Sequence, residues 1–564
     1  MTSLERLVSW QFSDLTEAER RLLAAASDGL TAFCGTHDKD DDASNDARAG
    51  ESWERNREIR AAIIRWLCFN GGARDLLTSA GIRVHGAKII GDLDLAYVAF
   101  DGLLLMRNCH FSGNVILRYA ETRTISLDNS SLPSLRADGL SIRGALILRN
   151  KFTCKGVVRL VRASVRGDLD CGGAHFGNEN GLSFAADEAN IEKSVIFRQA
   201  SFAGSIRLSQ AMVGGDLDCS GATIIRGEAA NDPALLADYA RIQGNLHLCD
   251  EQDPNTTRNS AGTRPTFTTD GIVNLEGAAI SGQLHCEGAR FQGSGTNGLN
   301  FESAKGESIK WRKIEGISRN TILSLINARV GSFFDDEHSW PTQNCLLLDG
   351  FSYSYLDPLG DPQPSSSIGL RLRWLQLVPA LKTQPYQQLA KVLREAGQDL
   401  NARRVLAALQ DELRVERDTG GIKRVMSWFY STIGYGYTPV AGTIRWAAIT
   451  VVIGWLFFFL GRGHMYQVKP KPQPSGAIST RGDPYYEPIS ALFYSVDVFL
   501  PIHSLHQEDY WLPKAEPWRF AWPSASSWFV PWGWWLRIWL WIEIIAGWVL
   551  TGLFLAGLTG FVRQ

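Results

Sequence analysis

A chain of 564 residues with 57 Lys plus Arg against 59 Asp plus Glu carries a formal net charge of −2. This excludes the strongly basic face that phosphate neutralisation demands, so nucleic acid is set aside as a partner. The length exceeds one ordinary core, so two or three domains are expected, and ten of the nineteen Trp lie beyond position 500.

The N-terminus, Met1-Thr-Ser-Leu-Glu-Arg6, lacks the basic stretch and continuous apolar run of a secretory signal, which predicts a cytoplasmic N-terminal domain. The nine Cys all lie at or before Cys345 without a CxxC pair. That distribution fits reduced thiols rather than a disulfide framework or zinc site. Neither a metal nor a cofactor is expected.

Residues 1–80 read as a helical cap. An amphipathic stretch opens at Asp14 and runs to Ala25, an acidic linker covers Asp38–Asp46, and Ile59, Ile63, Ile64 and Leu67 give a second apolar face within Trp53–Phe69. From residue 82 the sequence becomes periodic: Gly91-Asp-Leu-Asp-Leu95, Gly167-Asp-Leu-Asp-Cys171, Gly215-Asp-Leu-Asp-Cys219, Gly244-Asn-Leu-His-Leu248 and Gly282-Gln-Leu-His-Cys286 are variants of one unit. Strict alternation after the glycine sends the second and fourth positions inward and the first and third outward. Neighbouring units stand eleven residues apart, as at Gly204 and Gly215, and two units make one coil. A strand this short buries its inner face only by stacking, which argues for a parallel β-helix over 81–355, with roughly a dozen coils about 55 Å long.

Cys171, Cys219 and Cys286 hold the same place in the repeat and are expected as stacked interior residues. The outward Asp92, Asp94, Asp168, Asp170, Asp216 and Asp218, with His247 and His285 at corresponding places, form either a ligand stripe or a solvated face. The solvated face is preferred, since outward repeat positions meet water. Insertions at 225–242 and 250–270 are expected as surface loops. Gly293-Ser-Gly-Thr-Asn-Gly298 matches the dinucleotide pattern, but Leu299-Asn-Phe301 resumes the strand period where that pattern needs a helix. No nucleophile elbow, P-loop, His-rich metal motif or catalytic dyad is present, so an enzyme, such as a membrane-associated oxidoreductase, ranks third among the functional readings.

The irregular stretch 352–368 reads as the exit from the rod, and 356–435 as a helical linker with a hairpin of Pro385–Glu395 and Asp399–Arg417. The module 436–564 reads as a transmembrane hairpin with spans at about 444–461 and 538–562. Trp528, Trp532, Trp534, Trp535, Trp539 and Trp541 crowd one end of the second span, where an aromatic belt sits at the headgroup level. Lys and Arg flank the first span on both sides, so charge does not set the orientation. The missing signal and the cysteine distribution place the β-domain inside. Between the spans, Pro488–Pro501 is apolar, bounded by prolines and too short to cross, as in a re-entrant segment.

Span, re-entrant segment and span together resemble the pore module of two-span bacterial cation channels. Ala491-Leu-Phe-Tyr-Ser-Val496 is similar to the pore helix, and Glu543 through Gly560 to the inner helix. Gly434-Tyr-Gly436-Tyr-Thr-Pro439 resembles the motif leading into the pore in bacterial proteins that fuse pentapeptide-type β-helices to such a module. The resemblance implies an inner-membrane homo-oligomer that conducts cations, with a β-helix that binds a cytoplasmic protein or small ligand. The glycine-rich filter is absent, and Leu500–Asp509 stands in its place, so potassium selectivity is not implied. Glu543 is a functional candidate as an ionisable residue within a span. Asp497, repeated around an oligomer, would draw cations to a mouth, and Gly547 and Gly552 would permit a gating bend or close helix packing. The competing class is a non-conducting, membrane-anchored β-helix scaffold for protein interaction.

Overall fold

Alternating apolar and polar residues in runs of four or five bury one face only when further strands stack upon them. The computed structural model describes residues 3–35, 43–226, 232–251, 264–292, 296–357, 364–416, 439–467, 489–501, 511–514 and 532–559. The chain divides into two compact units, Met1–Gly397 and Gln398–Gln564. In the first, residues 82–356 form a parallel β-solenoid of about 11 turns. Two parallel sheets run along it, and each turn gives two short strands to each. Leu93 pairs with Val115, and Leu104 with Ile125, so two of the eleven-residue units make one turn as expected.

Inward positions stack in register. Leu146, Leu169, Val195, Leu217, Leu246 and Leu284 follow one another up one side, all fully buried. On another side the rings of Phe176 and Phe202 stack with centroids 4.8 Å apart. Cys171, Cys219 and Cys286 are interior and fully buried, as the repeat predicts. They occupy alternate coils, with Phe197 and Leu248 between them in the register. One corner of the turn is made by a residue in the left-handed region: Tyr97, Tyr119, Arg162, Glu188, Gln210 and Tyr239 all have φ between 53° and 60°. Gly139 and Gly277 take the same corner in their turns.

Both ends of the rod are closed by helices and by an ion pair on a buried carboxylate. At the N-terminal end lie α1 (Ser3–Ser9), α2 (Glu17–Asp28), α3 (Ala61–Phe69) and α4 (Gly71–Leu76). The expected cap is not purely helical, because Ala32–Phe33 and Glu58–Arg60 add strands to the two sheets. Thr16 and Glu19 form a capping box at the start of α2. The Glu19 carboxylate, fully buried, also accepts from Arg60 Nε at 2.7 Å and Nη2 at 2.8 Å. Burial pushes this carboxyl up, but the hydrogen bonds from Arg60 and the Thr16 and Arg60 backbone outweigh it and hold it below the usual glutamate range.

At the other end, Asp335 takes the interior position that Trp311 holds one turn earlier. A carboxylate in an apolar column demands a partner, and Arg371 on α5 (Pro364–Leu375) meets it with two contacts of 2.7 Å. Trp340 Nε1 donates to the same carboxylate at 2.8 Å. The next helix, α6 (Thr383–Glu395), lies on the last strand, where Gln388 Nε2 donates to the Tyr353 carbonyl at 2.7 Å.

Two expectations are corrected. The stretch 352–368 is not irregular throughout: Ser352–Leu356 is a strand paired with Arg329–Asp335, and α5 begins at Pro364. The segments 225–242 and 250–270 are not loops throughout, because Leu235–Leu236 and Arg241–Ile242 rejoin the ladders against Ile206 and Met212, and Thr268–Thr269 against Thr223 and Ile224. Leu235 fills the inner column between Ile206 and Val273.

The second unit contains α7 (Asp399–Glu416), α8 (Pro439–Leu460), α9 (Ala491–Phe499) and α10 (Trp532–Thr559). Helices α8 and α10 are long and apolar enough to cross a membrane over Gly442–Leu460 and Trp532–Leu555. The second begins earlier than expected, and Trp532 to Trp541 lie in its first turns, at one end of the span.

Arg371→Ala strands the Asp335 charge in the interior and is expected to cost about 3–5 kcal/mol. Arg373→Ala, which breaks an exposed pair with Glu337, should cost about 0–1 kcal/mol. Chemical denaturation of the full chain followed by β-sheet circular dichroism compares them, and equal losses would refute the closure. Because the folded Glu19 carboxyl lies below its usual range, its stabilisation is present above about pH 4.3 and disappears as pH falls through the lowered folded value. Glu19→Gln should therefore flatten the acid limb of the stability profile.

Candidate functional site

The outward carboxylates of the Gly-Asp-Leu-Asp units are engaged in holding the coils. Asp92, Asp168 and Asp216 accept the backbone N–H of Asn114, Ser194 and Asn245 on the next coil at 2.7, 3.0 and 2.6 Å. Asp94, Asp170 and Asp218 accept from the N–H two residues on, at Ala96, Gly172 and Ser220, an Asx-type turn that fixes the corner. Asp170 and Asp218 also pair with Arg149 and Arg198. The stripe is therefore structural for most of its length.

It changes character where Asp218, His247 and His285 follow one another in register. His247 and His285 stand on consecutive coils with ring centroids 6.0 Å apart. Cys249, two residues after His247 and fully buried, completes a group whose ligand atoms all lie within 4.8 Å of one another. Phe267 N donates to the Cys249 carbonyl and Glu251 N to the Pro265 carbonyl, so the end of the second insertion lies over the cysteine. The Ser220 hydroxyl is 3.6 Å from its sulfur. Burial pushes the Cys249 thiol up to about 11, with Asp218, Asp250 and Glu251 adding to the shift. Burial and then Lys310 push the His285 imidazole down, against the opposing Glu287, which keeps it neutral and its lone pair available near neutral pH. Its Nε2 is enclosed without a hydrogen-bond partner, 3.6 Å from Glu287 Oε2.

The pattern behind this group is readable in retrospect. Successive units carry Leu-His-Leu-Cys249 and Leu-His-Cys286, so the cysteine after His247 is displaced by one position. The long insertion between the units hides that the two His are neighbours. Cys286, in the expected register, points into the core instead.

In the second unit, α9 is nine residues long, about 13 Å at helical rise and far short of a bilayer. It packs against both α8 and α10. Tyr494 is enclosed, meets Phe458 edge to face at 4.7 Å and donates to the Trp511 carbonyl at 3.0 Å. The hydroxyl of Ser495 contacts the Val451 carbonyl at 3.0 Å and donates to Glu543 Oε1. Glu543 is fully enclosed in the single chain, and Asp497 is 2% exposed. A Cβ at Gly454 would overlap the Glu543 carboxylate and the Ser495 hydroxyl, and one at Gly547 would overlap the Phe499 carbonyl oxygen. Gly552 has open space around that position. A short antiparallel pair, Met465–Gln467 with Trp511–Pro513, lies beside the helices. Trp548, Ile545, Trp541 and Leu460 are exposed, an apolar sheath suited to lipid.

Of the motif before the first span, Gly434 and Gly436 lie outside the described residues, and Pro439 begins α8, where its missing N–H is harmless. The dinucleotide-like glycines end in a strand, Asn297–Asn300, paired on both sides. No family model, curated protein or solved structure matches this chain.

Gly547→Ala should lower the thermal stability of the helical signal in the monomeric, detergent-solubilised chain, because the added methyl meets a backbone carbonyl. Gly552→Ala should leave it unchanged or raise it by up to about 1 kcal/mol, alanine being the better helix former. Circular dichroism melting separates them, and identical behaviour would refute the close approach at Gly547.

Proposed function

We propose that this chain is a bacterial inner-membrane protein whose second unit forms, in a homo-oligomer, a cation-conducting pore governed by a cytoplasmic solenoid. In this reading α8 is the outer helix, α9 the pore-helix equivalent and α10 the inner helix. One two-span chain does not enclose a water-filled path, so several copies must close a ring. The observation that carries the reading is the seating of α9. A helix too short to cross is held at the depth of two membrane-length helices by the Ser495–Glu543 hydrogen bond and by the contact of Gly547 with the Phe499 carbonyl.

Glu543 then acts as a positioning residue that fixes α9 rather than as a pore-lining charge. A carboxylate enclosed among apolar helices is costly unless its hydrogen bonds repay it, and Ser495 supplies one. Asp497, two residues on along α9, would contribute negative charge to the cation path. Gly552 offers the bare helix surface on which a helix of another subunit would pack.

The enclosure of both carboxylates within one chain favours a second reading, a solenoid scaffold anchored by an inert helical bundle. Purified oligomer in planar bilayers distinguishes the two. The pore reading expects cation-selective conductance, with Asp497→Asn lowering the cation-to-chloride permeability ratio and Ser495→Ala reducing open probability. A silent bilayer from a well-folded oligomer would sink it and leave the scaffold.

A further inference from the structure

We infer that His247, Cys249 and His285 form a zinc(II) site on the side of the solenoid, a site that does not depend on whether the membrane helices conduct. Three observations carry it. The two imidazoles project from consecutive coils at the same register position, which sets their separation by the strand spacing rather than by flexible loops. The thiol of Cys249 comes from two residues beyond His247 and stands within 4.8 Å of both. His285 Nε2 is enclosed, and the polar atom recorded beside it, Glu287 Oε2, stands at 3.6 Å, outside good hydrogen-bond distance.

The chemistry of the set selects the ion. Two imidazole nitrogens and one sulfur are borderline-soft ligands, suited to zinc and unsuited to magnesium or calcium, which take oxygen. Three protein ligands leave a fourth tetrahedral position for water or a bound group. Binding replaces the thiol proton by the metal, and the proton leaves to solvent. The nearby carboxylates are disposed to assist. Glu287 Oε2 stands 3.6 Å from His285 Nε2. If the metal binds that nitrogen, the unmet atom is satisfied. If it binds the other ring nitrogen, Nε2–H donates to Glu287 in the carboxylate–histidine–metal arrangement that orients a ligand. Asp218, in register with His247, is paired with Arg198 and supplies negative potential beside the site. The ligands need to close by about an ångström from their present separation to reach zinc–nitrogen and zinc–sulfur bonds of about 2.0–2.3 Å. Side-chain rotation supplies this, because the backbone spacing of adjacent coils already brings the groups together.

Zinc chloride titrated into the full-length, metal-stripped protein by calorimetry should bind at one ion per chain. Cobalt(II) should give a thiolate-to-metal charge-transfer band together with the visible absorption of a tetrahedral site. Cys249→Ser and His285→Gln should each weaken zinc by about tenfold or more, with the cobalt thiolate band lost in Cys249→Ser. Cys345→Ser, at a cysteine outside the group, should bind as the parent does. The cobalt spectrum of the unsubstituted chain keeps the test decisive even if a variant misfolds. Absence of stoichiometric zinc binding, a cobalt spectrum without the thiolate band, or parental binding by a folded Cys249→Ser protein would each overturn the site.

Discussion

The inner apolar column is the interaction on which the first unit rests. Most strands of the solenoid contribute two ladder residues, such as Leu169–Asp170 or Leu217–Asp218, and no such pair buries a useful area alone. Only when Leu169 lies beneath Val195, and Val195 beneath Leu217, is the side chain covered on both axial faces. The hydrophobic gain then recurs with each coil, at about 25 cal/mol per Å² of apolar surface removed from water. Everything outside the column answers to it. The aspartates hold the coils in the register the column needs, and the insertions leave between strands and return to the same level.

A stacked column has two raw ends, and at both a charged pair accompanies the apolar side chains of the closing helices, such as Leu22 and Ile63 at one and Trp374 at the other. Glu19 meets Arg60 at one end and Asp335 meets Arg371 at the other. A buried pair of this kind adds little net stability over an apolar substitute. It does specify where the stack stops, since a further coil on Asp335 would bury its carboxylate without Arg371. The second unit has a buried carboxylate without a cation, with the Ser495 hydroxyl hydrogen-bonded to Glu543 where α8, α9 and α10 meet.

How much of this was legible in the sequence depends on the distance over which each signal acts. The strand alternation of Gly-Asp-Leu-Asp-Cys is local, so the solenoid, its two-unit coil and the interior cysteines could be read directly. Length and apolarity located the two long helices, and the prolines marked the short one between them. What escaped reading requires knowing which residues become neighbours across coils. Asp92, Asp168 and Asp216 look like solvated surface until the N–H they accept is seen one coil on. Asp335 makes sense only with Arg371 beside it. Cys249 joins the two histidines across an insertion that has no period. In the same way, nothing around Gly454 in sequence announces the carboxylate that forbids it a side chain.

The left-handed corner at Tyr97, Tyr119, Arg162, Glu188, Gln210 and Tyr239 has a consequence for how the rod's length is set. A second such corner stands half a turn on, at Asn108, Asn129, Asn150 and Gln199; a side-chain-bearing residue held at either costs about 1–2 kcal/mol, so the cost recurs along the solenoid at up to two corners per turn, as the burial gain does. Cost and gain therefore grow in proportion, and the coil has no preferred number of turns of its own. The rod behaves as a linear polymer of coupled segments, extensible in the middle and indifferent to it, whose dimension is decided entirely by where its terminators stand.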